Sequence, residues 1–139
     1  MAPTGSRRSG LLVPLFSAPS SQSWEIGDIG DIGAMTRWLE TAGLRLLQLL
    51  RINEMPPNES SPYSALSAMA IDPLFIAVGR VEDFLALGGE GHLEPGLRTR
   101  LENVRGALGV DYPNVCDLKR MVLRRAFVQF RDSEWARNT

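Results

Sequence analysis

The chain is poor in the residues that build disulfides, metal centres and histidine-based active sites. It has one cysteine, Cys116, and one histidine, His92, in 139 residues. A single cysteine cannot form an intramolecular disulfide, and Cys116 has no cysteine or histidine neighbour at metal-ligand spacing. We therefore expect Cys116 to be a small buried apolar residue, and we predict no metal site.

An excess of charge of one sign and long apolar runs are also missing. With 15 Lys and Arg against 16 Asp and Glu, the formal net charge is -1, so no strong field attracts nucleic acid or an anionic membrane. Arg7-Arg8 and the apolar residues after Gly10 imitate a signal peptide, but Pro14 ends the apolar run too early. No other run approaches the roughly 18 apolar residues that cross a bilayer. The sequence thus predicts a cytoplasmic protein with no nucleic-acid or membrane partner.

What the chain does contain is the composition of one globular domain, 44% hydrophobic and 22% charged. Residues 10–16 are typical of a strand buried on both faces of a parallel sheet, although Pro14 cannot donate to a strand partner. Residues 34–42 have the one-sided apolar spacing of a helix that Gly43 ends, and residues 44–52 predict a second buried strand. This βαβ unit places the loop that begins at Asn53 at the carboxyl edge of both strands, where such sheets bind ligands.

The C-terminal half is predicted to be mainly helical. Residues 74–78 fit either a strand or a core segment, and residues 81–87 and 94–108 are predicted helices, the second with Pro95 near its start. The last element is a long helix with an apolar stripe that needs a partner to cover it: Val115, Leu118, Val122, Leu123, Ala126, Phe127 and Phe130.

Three motifs fit a structural explanation better than a chemical one. Gly27-x-x-Gly30-x-x-Gly33 lacks the spacing and the Lys-Ser/Thr pair of a phosphate loop, so we predict a tight turn into a helix with an acidic start. His92 lies in a glycine-rich loop, and no sequence pattern supplies it with a nucleophile and an orienting carboxylate. Glu54 and Glu59 could be a carboxylate pair for glycoside chemistry, but glutamates on exposed loops are more often solvated.

The basic residues of the last helix could suggest an RNA-binding arm. They alternate with acidic residues, and a solvated face opposite the apolar stripe is the simpler interpretation: Lys119, Arg120, Arg124, Arg125, Arg131 and Arg137. Trp38, on the apolar side of the first helix, is predicted to lie in the core.

The loop around Tyr63 combines an aromatic hydroxyl, several serines and a proline. Pro62 fixes its own φ and pushes Ser61 toward extended backbone, so Tyr63 is predicted to sit on a restricted segment. A rigid tyrosine among small hydroxyls suits a polar, ring-shaped ligand such as a sugar. An ordinary turn has the same composition, and the position after the second strand is what favours a binding role.

In their order and spacing, these segments resemble the N-terminal part of the 4-α-glucanotransferases, the amylomaltases of glycoside hydrolase family 77. The similarity is carried by short motifs from Ser9 onward: Ser9-Gly10-Leu11-Leu12, Ile26-Gly27-Asp28-Ile29-Gly30, Ala42-Gly43-Leu44-Arg45 with Gln48-Leu49-Leu50, Ser61-Pro62-Tyr63-Ser64, Asp72-Pro73-Leu74 and Val110-Asp111-Tyr112. The chain departs from the family at residues 13–19, where typical members carry His-Pro-Thr-Ser-Leu-Pro. It also departs at Leu47 and Asp72, where many members have Trp and Asn.

The resemblance implies an α/β fold, the N-terminal fragment of a TIM-type (β/α)8 barrel with the start of a helical insertion. Its divisions are a flexible leader at 1–9, the first βα units of the barrel at 10–78, which include the substrate loop at 53–73, and a truncated helical insertion at 79–139. A barrel of this type needs about 250 residues. A piece of it is expected to expose an unpaired sheet edge and the apolar stripe, and to be marginally stable or to aggregate alone.

The activity implied by the resemblance is retaining transfer of α-1,4-glucan segments to a glucose or glucan acceptor, without a cofactor. The family's nucleophilic Asp, its Glu acid/base and a further Asp lie beyond the matching segments. The resemblance therefore assigns no catalytic residue to this chain and implies that it is inactive alone. Ser61 and Tyr63 match loop residues that line the donor sugar site, and α-1,4-glucans are the expected partners. Two alternatives stay open, a non-catalytic glucan-binding or interaction remnant and an RNA-binding basic helix.

Overall fold

Two short parallel strands and four helices make up the regular structure in the computed structural model, which describes residues 7–56 and 64–135. The strands are β1 (Gly10–Val13) and β2 (Leu46–Leu49), and the helices are α1 (Ile32–Thr41), α2 (Glu82–Ala86), α3 (Pro95–Arg105) and α4 (Tyr112–Ser133). Short 3-10 turns occupy Leu15–Ser17, Ile29–Asp31, Pro73–Phe75, Val78–Arg80 and Gly89–His92.

The predicted βαβ unit is confirmed. The strand β1 pairs in parallel with β2, in the register that sets Gly10 opposite Leu46 and Val13 opposite Leu49. The helix between them ends in a Schellman motif, in which Gly43 has a φ of 75° and Leu44 N donates to Leu39 O at 2.9 Å. Both strands are shorter than predicted. The first ends before Pro14, which has no N–H to donate.

The prediction that both strands are buried on their two faces is wrong for this structure. Exposed and half-buried residues alternate along both strands, and 55% of Leu12 and 54% of Leu46 remain accessible. Among the described residues no third strand pairs with either one, so little covers the sheet. Trp38 is also misplaced by the sequence prediction, because it is 60% exposed while the neighbouring Leu39 faces inward.

The hydrophobic core lies among the helices and the segment that follows β1, rather than in the sheet. Its buried side chains are Trp24, Ile26, Leu74, Val78, Phe84, Leu93, Leu97, Leu101, Val104, Val115, Leu118, Val122 and Ala126. Burial of an aliphatic or aromatic side chain of this size contributes about 1.5 to 3 kcal/mol. The core therefore stabilises the C-terminal half and fixes the segment after β1 against it.

The apolar stripe of α4 has its partner within the chain, which corrects the prediction that it would be exposed. The helices α2 and α3 and the turn at Pro73–Phe75 pack against α4 and bury Val115, Leu118, Val122 and Ala126. Only the last turns of the stripe stay accessible, with Phe127 54% exposed.

The elements between β2 and α4 agree in part with the sequence predictions. The predicted helices at 81–87 and 94–108 are confirmed as the shorter α2 and α3, the latter with Pro95 in its first turn. Residues 74–78 are a core segment and not a strand, because Asp72 caps a 3-10 turn that begins at Pro73. No helix in the described ranges is long and apolar enough to cross a membrane.

Candidate functional site

The carboxyl ends of β1 and β2 meet at one edge of the sheet, and two long loops leave from this edge. The β1 loop (residues 14–28) follows Val13, and the β2 loop, described at residues 50–56 and 64–72, follows Leu49. Leu50 N donates to Val13 O at 3.0 Å, so the two loops begin side by side. Ligands of parallel α/β proteins bind at this edge, which makes these loops the candidate site.

The base of the β2 loop is closed by hydrogen bonds between its outgoing and returning sides. Asn53 forms an antiparallel bridge with Ile71, and its side-chain amide donates to Ala68 O at 3.0 Å and Ala70 O at 3.3 Å. Two main-chain hydrogen bonds form this bridge, Asp72 N to Ile52 O at 2.9 Å and Glu54 N to Ala70 O at 3.1 Å, and Leu66 N donates to Glu54 O at 2.8 Å. The described part of the loop is therefore held together by hydrogen bonds between its two sides.

Asp72 ties the base of the β2 loop to the segment that follows it. One carboxylate oxygen, Oδ1, accepts from Leu74 N at 2.8 Å and caps the next 3-10 turn. The other, Oδ2, accepts from Met55 N at 3.3 Å, across the loop. The residue that departs from the Asn of many family members thus uses both of its oxygens as acceptors.

The two sugar-binding residues predicted from the sequence, Ser61 and Tyr63, lie outside the described residues, as does Glu59. The described residues on either side, Pro56 and Ser64, belong to the β2 loop. The assignment of Ser61 and Tyr63 to the site thus stays a prediction.

The end of the β1 loop is organised by two buried carboxylates, Asp28 and Asp31. Asp31 accepts from Ser20 Oγ at 2.5 Å, Ser23 Oγ at 2.7 Å and Asp28 N at 2.8 Å. Asp28 in turn accepts from Gly30 N at 2.8 Å, which completes a capping box. The amides of this turn are satisfied by its own carboxylates, which supports the predicted tight turn with an acidic helix start.

Lys119 is a buried charged residue beside these loops whose burial the sequence interpretation missed. It was expected on a solvated face of α4, yet it is 1% exposed. Its Nζ donates to Leu74 O at 2.7 Å and to Ile76 O at 2.9 Å, and it lies 3.6 Å from Asp28 Oδ2. Helical spacing could have indicated this burial, because Lys119 lies four residues after Val115, on the side of the helix that carries the apolar stripe.

The buried pair of Lys119 and Asp28 is compensated locally rather than by solvent. Burial lowers the pKa of Lys119 and raises the pKa of Asp28, and the attraction between the two groups opposes both shifts. An ammonium has three protons to donate, and three oxygens surround this one. We therefore treat the pair as an ion pair, since an unpaired charge at such a depth would be costly.

A second polar cluster holds the β1 loop against α3. Trp24, 1% exposed, donates its indole N–H to Glu90 Oε1 at 2.7 Å. Arg105 makes two hydrogen bonds of 2.9 Å to the same carboxylate and donates from Nε to Ser23 O at 3.1 Å. The bidentate geometry is the stronger form of an arginine–carboxylate contact, so the loop is fixed by packing and by charge.

A groove of about 420 Å³ runs between the β1 loop and residues 107–110. Its lining includes Ser20, Ser21, Ser23, Glu25 and Arg105. Glu25 has a φ of 71°, its Oε1 accepts from Asp111 N at 3.3 Å, and its buried Oε2 has no hydrogen-bond partner. Burial raises the pKa of this carboxyl. Glu25 thus brings two energetically unfavourable features to the groove, a backbone conformation with positive φ and a buried carboxylate oxygen without a hydrogen bond.

The remaining candidates from the sequence do not come together. His92 is exposed, with Nδ1 3.2 Å from Gly88 O, and Glu54 is half-buried in the base of the β2 loop. Cys116 is half-buried, and burial raises the pKa of its thiol. Within residues 7–56 and 64–135, no group of three or more His, Cys, Asp or Glu side chains could hold a metal ion.

The basic side chains of α4 are partly neutralised by neighbouring carboxylates. Arg125 contacts Glu94 at 2.8 Å, and Arg131 contacts Asp132 at 2.8 Å. Together with the burial of Lys119, these contacts break up the basic face that an RNA-binding helix would present.

Comparison with known proteins gives one consistent result. Residues 13–139 match the family model Glyco_hydro_77, described as 4-alpha-glucanotransferase. The 4-alpha-glucanotransferase of Mycobacterium tuberculosis strain H37Rv is 30% identical over 131 residues, which cover 86% of this chain and 18% of the relative. That of Chlamydia muridarum is 29% identical over 122 residues, which cover 88% of this chain and 22% of the relative.

The fold gives the same answer. The crystal structure of amylomaltase from Corynebacterium glutamicum superposes with a TM-score of 0.67 at 27% sequence identity, over 88% of this chain and 18% of that protein. The chain thus spans about a fifth of the length of the relatives that it matches over most of its own length.

Proposed function

The chain belongs to the 4-alpha-glucanotransferase family, glycoside hydrolase family 77, and from this premise we propose that it contributes part of the donor-sugar site for α-1,4-glucan transfer. The observation that carries the proposal is the position of the β2 loop. It leaves the carboxyl edge of a parallel strand pair, which is the ligand-binding edge of parallel α/β proteins. Its base is braced by Asn53 and Asp72, as a binding loop requires.

We propose that β1, α1 and β2 form the first unit of a (β/α)8 barrel. The parallel pairing, the crossover helix and the similarity to an amylomaltase structure support this. In a barrel the exposed Leu12 and Leu46 would be covered by neighbouring strands and helices, which accounts for two leucines that are solvated in the described residues.

Within the β2 loop we propose that Ser61 and Tyr63 bind the sugar. The Tyr63 ring would stack on a glucose face, while its hydroxyl and that of Ser61 would form hydrogen bonds with sugar hydroxyls. We assign no catalytic carboxylate to this chain. In the proposed retaining reaction, a carboxylate outside this chain attacks the anomeric carbon while an acid group, also outside it, protonates the glycosidic oxygen, so that the α-1,4 bond breaks and the rest of the glucan leaves. A hydroxyl of the acceptor sugar then displaces the carboxylate and gives its proton to the same acid/base group.

The test is glucan binding by the purified chain, measured by titration calorimetry with maltoheptaose. Tyr63→Ala is expected to weaken binding at least about tenfold, which corresponds to about 1.4 kcal/mol, and Tyr63→Phe less, since the ring is kept. Trp38→Ala is the matched control because Trp38 is an exposed aromatic residue on α1. The proposal fails if the wild-type chain does not bind maltoheptaose, or if Tyr63→Ala binds like the control.

A non-catalytic glucan-binding remnant is the second candidate. It is favoured by the hydrophobic core that the described residues form among themselves. Incubation with maltotriose tests whether the chain itself turns over glucan. Released glucose would exclude a non-catalytic remnant and would require a catalytic group within this chain, whereas binding without turnover is expected of both candidates.

A further inference from the structure

We propose that Lys119 is a positioning residue for the β2 loop, which it fixes from α4 together with the end of the β1 loop. This inference rests on the proposed role of that loop in glucan binding. The side chain is not part of the loop, and it acts through the backbone that follows it and through Asp28.

The ammonium makes two hydrogen bonds and one ion-pair contact. Nζ lies 2.7 Å from Leu74 O, 2.9 Å from Ile76 O and 3.6 Å from Asp28 Oδ2. Two acceptors belong to the segment after the β2 loop, and the third belongs to the end of the β1 loop. One buried cation thus joins α4 to the end of the β1 loop and to the segment that follows the β2 loop.

The link from Lys119 to the β2 loop passes through Asp72. The carbonyl of Leu74 is held by Lys119, while the amide of the same residue donates to Asp72. The second oxygen of Asp72 accepts from Met55 N, on the outgoing side of the loop. Fixing residues 74 to 76 against α4 therefore also fixes the residue that bridges the base of the loop.

Burying a charged side chain at position 119 costs desolvation free energy, which only specific contacts of the ammonium can offset. The neighbours along the stripe, Val115, Leu118 and Val122, are apolar and fully buried, and an apolar side chain of similar size would avoid the desolvation cost of a cation. An apolar side chain at position 119 would, however, leave the carbonyls of Leu74 and Ile76 without the hydrogen-bond donor that Lys119 supplies. The ammonium supplies directional contacts that hydrophobic packing does not.

The test uses Lys119→Met and the double variant Asp28→Asn with Lys119→Met. The double variant removes both charges of the pair, and the side-chain amide that it introduces at position 28 keeps an oxygen for the contact with Gly30 N. Arg120→Met is the control, because Arg120 is the exposed neighbour on α4. Two quantities are measured on the whole chain, the hydrogen exchange of individual amides by NMR and the dissociation constant for maltoheptaose.

In the double variant we expect the amides of Met55, Asp72 and Leu74 to exchange at least tenfold faster than in wild type. The interior amides of α3, such as that of Leu101, should change less than threefold, and maltoheptaose should bind at least fivefold more weakly. Arg120→Met should match wild type in every measurement.

Unchanged exchange at the loop base would overturn the inference. So would a loss of protection spread evenly over the chain, up to unfolding of both variants, because Lys119 would then support the core as a whole. If wild type does not bind maltoheptaose, the proposed function fails by itself, and the exchange pattern still decides whether Lys119 positions the loop.

Discussion

Glu25 is expected to destabilise the protein, and its replacement by glycine to stabilise it. It is the only residue other than glycine with a positive φ in the described ranges, at 71°. A side chain in this region costs about 1 to 2 kcal/mol, while glycine adds about 0.5 to 1 kcal/mol of unfolded-state entropy. The backbone contribution of Glu25→Gly is thus a gain of about 0.5 to 1 kcal/mol.

The side chain of Glu25 adds a second unfavourable contribution. Its buried Oε2 has no hydrogen-bond partner, and leaving such an acceptor unsatisfied costs about 1 to 3 kcal/mol. Removing it also removes the contact of Oε1 with Asp111 N, which at 3.3 Å is a weak hydrogen bond of about 0.5 to 1 kcal/mol. We expect Glu25→Gly to raise the free energy of unfolding by about 1 to 3 kcal/mol in total.

Thermal and urea unfolding measure this directly, and about 1 kcal/mol corresponds to roughly 3 to 5 °C in Tm at this chain length. Glu25→Ala is the matched control, since it removes the carboxylate but keeps a Cβ at positive φ. It should therefore be less stable than Glu25→Gly by about 0.5 to 1 kcal/mol. If the glycine variant is no more stable than the alanine variant, the backbone at this position is not strained and the reasoning is wrong.

The pH dependence of the same variants provides an independent check. Because burial raises the pKa of Glu25 in the folded state, the folded protein holds the proton more tightly than the unfolded chain. The protonated Glu25 carboxyl is therefore tolerated best below the ordinary carboxyl pKa, and this relative stability is lost as pH rises through the folded-state pKa and the carboxyl ionises. The advantage of Glu25→Ala over wild type should therefore be larger at pH 7 than at pH 4.

Three further predictions concern packing, hydrogen bonding and thiol reactivity. Gly27→Ala should destabilise the fold by at least about 2 kcal/mol, because the added Cβ would lie 2.1 Å from a carbonyl oxygen. Gly79→Ala is the control and should cost less than about 1 kcal/mol, since a Cβ there would have nothing within 4 Å. Equal urea midpoints for the two variants would contradict this prediction. Trp24→Phe should cost about 2 kcal/mol, since Glu90 loses the indole N–H that donates at 2.7 Å; a Tm equal to that of wild type would argue against the contribution of this hydrogen bond. Cys116, whose pKa burial raises, should react with a disulfide reagent at pH 8 at least about tenfold more slowly in the folded than in the urea-unfolded chain, and equal rates would show that the thiol is accessible.

The local elements of the fold were predictable because their signals are local. The apolar spacing of residues 34–42 and of the stripe from Val115 predicts helices, and Gly43 marks the end of the first one. Pro95 marks the start of α3. The parallel pairing of β1 with β2 followed from chain order, since a crossover helix between two adjacent strands leaves few other arrangements. The order and spacing of the short motifs also predicted the family, which the comparisons confirm.

Burial was less predictable, because it depends on which elements meet. Trp38 has the spacing of a core residue and is exposed, whereas Trp24 lies in a loop and is among the most deeply buried residues. The stripe of α4 was expected to be exposed, but α2 and α3 fold back over it. No pattern within the stripe itself could reveal a cover that is supplied by residues 82–105.

The sequence by itself determined the helices, the βαβ unit, the family and the loop on which a sugar site is expected, because spacing, turn chemistry and motif order are properties of neighbouring residues. Only the tertiary structure decided the environment of the charges. A lysine is typical of a solvated helix face. The ammonium of Lys119 is nevertheless bound by the carbonyls of Leu74 and Ile76, which lie more than 40 positions earlier in the chain. Desolvation and its compensation depend on contacts between distant segments, so they emerge only when those segments pack together.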